Sequence, residues 1–178
     1  MDTMTRTIQE HGQAVWATVW RMLNHEADAQ DCYQDTFLEA QTIADRGAIR
    51  CWRSLLKTIA TRRALDRLRT RYRERPRTRS LDSPMPAPLA QGPLHQARAD
   101  ELMDRLREAL AQLPNPQAQA FWMHQIEQTP YAQIAVILEV EPGHARVLAH
   151  RARKQLQQSL AQFQPEQPAC PVSEVNQP

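Results

Sequence analysis

The sequence predicts an all-α fold of two small helical domains joined by a flexible, proline-rich linker, the second of them a helix-turn-helix domain. Aromatic residues make up only 6% of the 178 residues and glycine occurs four times. That is too little β-forming and turn-forming material for a β-sandwich or barrel. Helix-forming residue types dominate instead, and apolar residues recur at helical spacing on both sides of one proline-rich stretch.

Three helices are predicted in residues 1–73, the first domain. Apolar residues recur at helical spacing from Ile8 to Leu23, and a second helix begins near Ala27 and continues through DCYQDTFLEAQTIA. The segment Asp45-Arg46-Gly47 breaks this helix. A third helix is expected from about Ile49 to Arg73, with an apolar stripe on one side and a basic outward face.

The proline-rich stretch predicts a linker over residues 74–96. Proline at such density cannot build the interior of a helix or a sheet, so we expect a flexible segment and a domain boundary there. Helices resume near Ala97, and the second domain is expected over residues 97–163. Residues 164–178 are short, polar and rich in proline, which predicts a disordered tail.

A helix pair from Thr129 to Leu156 carries the strongest functional signal. In its first helix Tyr131, Ile134, Ala135 and Leu138 are expected to face inward, Val140 to fill the turn, and Pro142 to open the second helix. The second helix is expected to pack through Ala145, Ala149, Ala152 and Leu156. This leaves a face for solvent or DNA that consists of His144, Arg146, Val147, His150, Arg151 and Arg153. An ordinary pair of packed helices with a solvated basic face is the alternative.

Charged residues concentrate in two other places. Residues 62–79 contain nine arginines against Asp66 and Glu74, a cluster that attracts the phosphate backbone. Trp52 nearby either stacks on an unpaired base or belongs to the core. The second helix carries an acidic face of Asp31, Gln34, Asp35 and Glu39, which predicts a solvated surface or a protein docking site.

Several other classes of protein are disfavoured. The cysteines Cys32, Cys51 and Cys170 form no CxxC pair and the six histidines have no metal-ligand spacing, so we expect no metal and no cofactor. Motifs of nucleophilic or phosphate-binding enzymes are missing from the sequence, so we do not expect an enzyme. No apolar run has transmembrane length and no signal peptide is recognisable, which predicts a soluble, cytoplasmic protein without membrane insertion. Cys170 is either a redox or metal sensor or incidental.

Four motifs in this order resemble the sigma-70 family of bacterial sigma factors, and in particular its short extracytoplasmic function (ECF) group. They are ADAQDCYQDTFLEA, CWRSLLKTIATRRALDRLR, ALAQLPNPQAQAFWMHQIEQTPYAQIAVIL and HRARKQL. The resemblance covers roughly Gln9 to Leu160. It implies a subunit that binds core RNA polymerase and promoter DNA, together with an anti-sigma factor as antagonist.

The resemblance also implies roles for individual residues. Core polymerase would be bound by Asp31, Gln34, Asp35 and Phe37. The −10 element, opened and read as single strand, would be contacted by Arg50, Trp52, Arg53, Lys57, Arg62, Arg63, Asp66, Arg67 and Arg69. The −35 element would be read in its major groove by Tyr131, Gly143, His144, Arg146, Val147, His150, Arg151 and Arg153.

Departures from the family pattern concentrate in the helix-turn-helix. Glu139 stands where the family usually has a turn glycine, which predicts a different turn or some strain. Glu141 replaces the usual Ser or Thr cap, and Leu148 replaces a frequent basic residue. Two alternatives therefore remain open at this point: a stand-alone helix-turn-helix regulator of transcription, and an interaction protein that occupies the polymerase without reading promoters.

Overall fold

A computed structural model of the chain describes residues 3–74 and 93–161. This part consists of seven α-helices and one π-helical turn, with no strand among the described residues, so the predicted all-α fold is confirmed. The helices are α1 (Thr3–Leu23), α2 (Glu26–Ala44), α3 (Trp52–Glu74), α4 (Pro93–Gln112), α5 (Asn115–Phe121), the π-helical turn (Trp122–Ile126), α6 (Tyr131–Ile137) and α7 (Pro142–Ala161). We call α1–α3 the first lobe and α4–α7 the second lobe.

The helix boundaries differ from the predicted ones by a few residues. The first helix begins at Thr3 instead of Ile8, and α4 begins at Pro93 instead of near Ala97. Proline suits the first turn of a helix, where its missing N–H is not needed. Most of the predicted linker (74–96) and the whole predicted tail (164–178), including Cys170, lie outside the described residues. The division into domains stays a prediction.

The turn between α1 and α2 is fixed by local hydrogen bonds. Asn24 adopts the left-handed conformation with φ 46°, and its N–H donates to the Trp20 carbonyl over 2.8 Å. Asparagine tolerates this conformation better than most residues, and it commonly ends helices. His25 then caps α2, because its Nδ1 accepts the N–H of Asp28 over 3.3 Å.

The first lobe packs around α3. Val15 and Val19 of α1, Ala40 of α2 and Leu65 of α3 are fully or almost fully buried in one cluster. Aromatic rings extend it along the α1–α2 seam, where Tyr33 meets Trp16 and Phe37 edge-on. Burial of a Val or Leu side chain contributes roughly 1.5–3 kcal/mol, so this cluster accounts for much of the lobe's stability.

The two lobes pack against each other and share that core. Leu110, Leu113, Trp122 and Leu156 of the second lobe belong to the same buried cluster as the side chains of α1 and α3, and α3 packs on both α4 and α5. The proline-rich linker alone gave no sign of this contact. The lobes form one compact unit in this structure.

Charged side chains close the seam between the lobes. Arg107 is buried and donates from Nε to the Met22 carbonyl over 3.0 Å and from Nη2 to the Arg21 carbonyl over 3.2 Å. These carbonyls belong to the last turn of α1, where positive charge is favourable. On the other side of the seam, Arg69 donates to the Leu113 carbonyl over 2.9 Å.

Glu127 contacts three side chains of the first lobe at once. Its carboxylate accepts from Thr18 Oγ1 at 3.0 Å and lies 3.3 Å from Arg21 Nη1 and 2.6 Å from Lys57 Nζ. The Glu127 side chain is only 6% exposed. One residue of the second lobe therefore holds α1 and α3 together, directly after the π-helical turn.

The helix-turn-helix folds as the apolar pattern predicts. Ile134, Ala135, Ala145 and Ala149 are buried in a second cluster, with Val140 partly buried against it. The connecting turn closes with a bond from the Val140 N–H to the Ala135 carbonyl (2.9 Å) and one from the Glu139 N–H to the Val136 carbonyl (3.4 Å). This is the Schellman pattern of helix ends, with Glu139 in the left-handed position at φ 54°.

Candidate nucleic-acid interface

The outer face of α7 presents a predominantly basic surface. Ala145, Leu148, Ala149, Ala152 and Leu156 are buried, so the helix keeps its opposite side for solvent. The residues predicted for that side are all exposed: Gly143, His144, Arg146, Val147, His150, Arg151 and Arg153. A helix of this kind, held by its partner helix, has the shape and charge to enter a DNA major groove.

Stacked side chains hold the first turn of this face in place. The ring of Tyr131 stacks on His124 with centroids 3.9 Å apart, and the guanidinium carbon of Arg146 lies 5.5 Å from the Tyr131 centroid. A cation over an aromatic ring is attracted by the negative ring face. Tyr131 is half-buried, so here it orients Arg146.

Leu148 does not lie on the predicted DNA face. It is buried among the helix-turn-helix side chains, so its replacement of a basic residue leaves the outer face of α7 unaltered. The sequence already indicated that Leu148 faces inward. Ala145, Leu148 and Ala152 are three and four residues apart, and residues at that spacing lie on one side of a helix.

The basic residues predicted for −10 DNA do not form one continuous face of α3. Arg50 and Arg53 are exposed at its start, and Trp52 is half-buried against the core. Lys57 and Arg69 point instead at the second lobe and contact Glu127 and Leu113. Asp66 pairs with Arg69 over 3.2 Å and also accepts from Asn115 of the second lobe.

The remaining three arginines of that set point at α2. Arg62 and Arg63 both pair with Glu39, and the Arg63 Nη2 to Glu39 Oε2 distance is 2.7 Å. This hydrogen bond raises the pKa of Arg63 above its ordinary value. Arg67 bridges Asp28, at 3.2 Å, and Asp31. The residues predicted to share one outward face of α3 therefore point in three directions: to solvent, to the second lobe and to α2. The reason is that a helix turns by about 100° per residue.

The predicted polymerase-binding residues separate into an outer and an inner set. Asp31, Gln34 and Asp35 are exposed on α2. Phe37 is only 6% exposed and packs on Tyr33 with ring centroids 5.0 Å apart. It therefore lies in the core beneath the exposed residues of α2.

Leu38 is a surface residue that the sequence analysis missed. It is 63% exposed and lines a shallow groove of about 410 Å³ with Asp35, Thr42, Ile43 and Arg46. Adjacent residues of a helix point in different directions, so Leu38 cannot share the buried side of Phe37. Its position directly after Phe37 could therefore have predicted its exposure.

Burial makes one thiol unreactive. Cys32 lies in the core and its pKa is raised to about 12, first by loss of solvation and second by the nearby Asp35 carboxylate. Cys51 is exposed just before α3. Among the described residues there is no group of three His, Cys, Asp or Glu side chains that could hold a metal ion, and no helix there is long and apolar enough to cross a membrane.

Two family models match the chain, one on each lobe. The model described as Sigma-70 region 2 matches residues 7–74, which are α1–α3. The model described as Sigma-70, region 4 matches residues 103–156, from within α4 to within α7. Together they cover both candidate surfaces in the order in which the lobes follow each other.

Curated relatives and solved structures agree with these matches. The chain is 28% identical to the ECF RNA polymerase sigma factor SigE of Mycolicibacterium smegmatis over 93% of its own length and 65% of that protein. It is 27% identical to the RNA polymerase sigma factor CarQ of Myxococcus xanthus, with 92% of each chain covered.

The structural matches share the fold over most of the chain. One is the sigma factor RpoE of Bartonella quintana, crystallised with the anti-sigma factor NepR. It has a TM-score of 0.59 and 21% identity, with 90% of this chain and 98% of that one covered. Another is the extracytoplasmic function sigma factor SigJ of Mycobacterium tuberculosis, with a TM-score of 0.51 and 26% identity over 86% of this chain and 53% of that one.

Proposed function

This chain belongs to the sigma-70 family, in its ECF group, and from that premise we propose that it binds core RNA polymerase and directs initiation at its own set of promoters. The observation that carries the proposal is the ordered match of both regions on one chain. It acts where the polymerase acts, in the cytoplasm. It acts by binding, and the free energy for opening DNA comes from the contacts that it makes with polymerase and promoter.

Core polymerase is bound by the exposed side of α2. Asp31, Gln34 and Asp35 present acidic and amide groups, and Leu38 adds an exposed apolar side chain beside Asp35. An apolar residue within a polar rim is the composition of a protein interface. Phe37 and Thr36 are buried beneath this surface and fix its shape.

The −10 strand is held at the start of α3. Arg50 and Arg53 are exposed there, beside the half-buried Trp52, which gives phosphate contacts next to a surface for base stacking. Arg62, Arg63, Asp66 and Arg67 extend the site along α3. The ion pairs of these arginines with α2 compete with phosphate contact, so we assign the largest −10 contribution to Arg50 and Arg53.

The −35 element is read by α7. Its exposed side meets the bases while Arg146 and Arg153 lie towards one edge and His144 and Arg151 towards the other, within reach of the phosphates. Tyr131 positions Arg146 from α6. His150 and Gly143 lie between the two edges.

Simultaneous contact with both elements requires the lobes to separate. The −10 and −35 elements are about 25 base pairs apart, or about 85 Å at 3.4 Å per step. The packed lobes, joined through Glu127 and Lys57, cannot span that distance. We therefore propose that this arrangement is a resting form, and that an anti-sigma factor, as in the RpoE relative's complex, acts on this chain too.

Transcription with core polymerase tests the proposal. Core enzyme plus this chain should give run-off transcripts from a library of random promoters, and core enzyme alone should not. Asp35→Lys should abolish association with core polymerase, while Glu10→Gln, an exposed change on α1, should leave it intact. A chain that ignores core polymerase and shifts duplex DNA unaided would instead be a stand-alone regulator.

A further inference from the structure

One large apolar side chain stands in the middle of the basic face of α7. Val147 is 43% exposed, and the other exposed residues of α7 between His144 and Lys154 are basic or histidine. Exposed apolar residues are common on proteins, so exposure by itself says little. The position of Val147 on the helix says more.

Val147 lies close to the direction opposite the buried side of α7. With about 100° per residue, the buried side chains Ala145, Leu148, Ala149, Ala152 and Leu156 define one direction. Val147 lies within about 25° of the opposite direction. Arg146 and Arg153 fall on one flank, and His144 and Arg151 fall on the other. Val147 therefore lies in the central part of the face together with His150 and Lys154, and the arginines occupy its edges.

This arrangement matches the chemistry of a major groove. A helix in the groove places its flanks near the two phosphate backbones and its centre on the base edges. The base edges there carry hydrogen-bonding groups and one apolar group, the C5-methyl of thymine. A valine facing the polar edges of guanine, cytosine or adenine would leave their donors and acceptors without a partner.

We propose that Val147 selects a thymine in the −35 element by contact with its C5-methyl group. The inference rests on the proposed function, since it requires α7 in the −35 groove. It gives that function a specificity residue which makes no hydrogen bond. His150 and Lys154, which lie on the same central side, are left to contact neighbouring positions.

Replacing thymidine by deoxyuridine tests this contact, because it removes the methyl group alone. We would select −35 duplexes from a random library with the reconstituted polymerase, then exchange each thymidine of the selected site for deoxyuridine in turn. Full-length chain with core polymerase should lose about fourfold in affinity at one position, the amount expected for burying one methyl group. Val147→Ala should bind the thymidine and deoxyuridine duplexes about equally.

Val136→Ala is the matched control. Val136 is 79% exposed on α6, outside the α7 face, so this variant should keep the full preference for thymidine. A wild-type complex that initiates normally yet tolerates deoxyuridine at every −35 position would overturn the role of Val147 and leave the proposed function standing. A complex that selects no −35 sequence and starts no transcript would contradict the proposed function itself.

Discussion

Glu139 holds a backbone conformation that its side chain disfavours. Its φ of 54° lies in the left-handed region, which costs a residue with a Cβ roughly 1–2 kcal/mol. The conformation persists because the turn bonds of Val140 and Glu139 and the burial of the flanking helices require it. The strain expected from a missing glycine is thus present, in a turn that makes both hydrogen bonds of the Schellman pattern.

Glu139→Gly should therefore stabilise the protein. We expect a gain of about 0.5–1 kcal/mol in the free energy of unfolding, since glycine removes the Cβ strain but adds entropy to the unfolded chain. Glu139→Ala keeps a Cβ and should give no gain. Urea titration followed by circular dichroism measures both variants, and equal effects of the two would show that backbone strain is not the cause.

Cys32 and Cys51 should differ sharply in reactivity. The pKa of Cys32 is raised to about 12 by burial, so its reactive thiolate stays scarce from pH 7 to pH 10. Exposed Cys51 should be alkylated readily in the folded protein. Peptide mapping by mass spectrometry after iodoacetamide treatment distinguishes the sites. Alkylation of Cys32 at a rate similar to that of Cys51 without denaturant would contradict the assigned burial.

At the scale of the element, α3 divides the basic residues predicted for −10 DNA between solvent and two neighbours, the second lobe and α2. Its start faces solvent, one side faces the second lobe through Lys57 and Arg69, and another faces α2 through Arg62, Arg63 and Arg67. Helix α3 is thus the central packing element of the first lobe, and in our proposal it also contacts the −10 DNA. In that proposal, its ion pairs decide which arginines can contact phosphate.

Glu39 is the residue on which the α2–α3 pairing depends most. Glu39→Gln should lower the free energy of unfolding by about 1 kcal/mol, because Arg62 and Arg63 lose their shared counter-charge. Both guanidinium groups are over a third exposed, so the difference from wild type should shrink in high salt. Glu10→Gln, which breaks only an exposed pair with Arg6, should cost much less. A salt-independent loss would point to packing instead of charge.

At the scale of the whole molecule, local sequence patterns predicted the helices but did not predict the long-range contacts between them. Helical periodicity and the position of Pro142 gave the helix-turn-helix nearly to the residue, because these signals act within one or two turns. Glu127 lies 109 residues from Thr18 in sequence. Nothing in a single chain marks such a pair in advance, and the prolines between the lobes suggested independence. The division of the basic residues of α3 among three directions was not predicted for the same reason, because their partners lie on other helices.

Glu127 should control how firmly the lobes stay together. Its buried carboxylate serves Thr18, Arg21 and Lys57 at once, and removing its charge leaves Lys57 partly buried beside the seam without a partner. Breaking such a pair from one side is costly, so Glu127→Gln should lower the free energy of unfolding by about 2 kcal/mol. Lys57→Gln with Glu127→Gln should cost less than the sum of the two single changes.

The same change should open the molecule. A compact chain of this length has a radius of gyration of about 16 Å, and small-angle X-ray scattering should give a larger radius for Glu127→Gln than for wild type. Glu108→Gln, a change at a partly exposed side chain of α4, should leave the radius unchanged. Because opening precedes contact with both promoter elements in our proposal, Glu127→Gln should also bind core polymerase on promoter DNA more tightly, by up to about tenfold if opening becomes 1.4 kcal/mol easier. An unchanged radius would show that the apolar core of the seam holds the lobes without Glu127, and an unchanged affinity in an opened variant would show that lobe separation does not limit promoter binding.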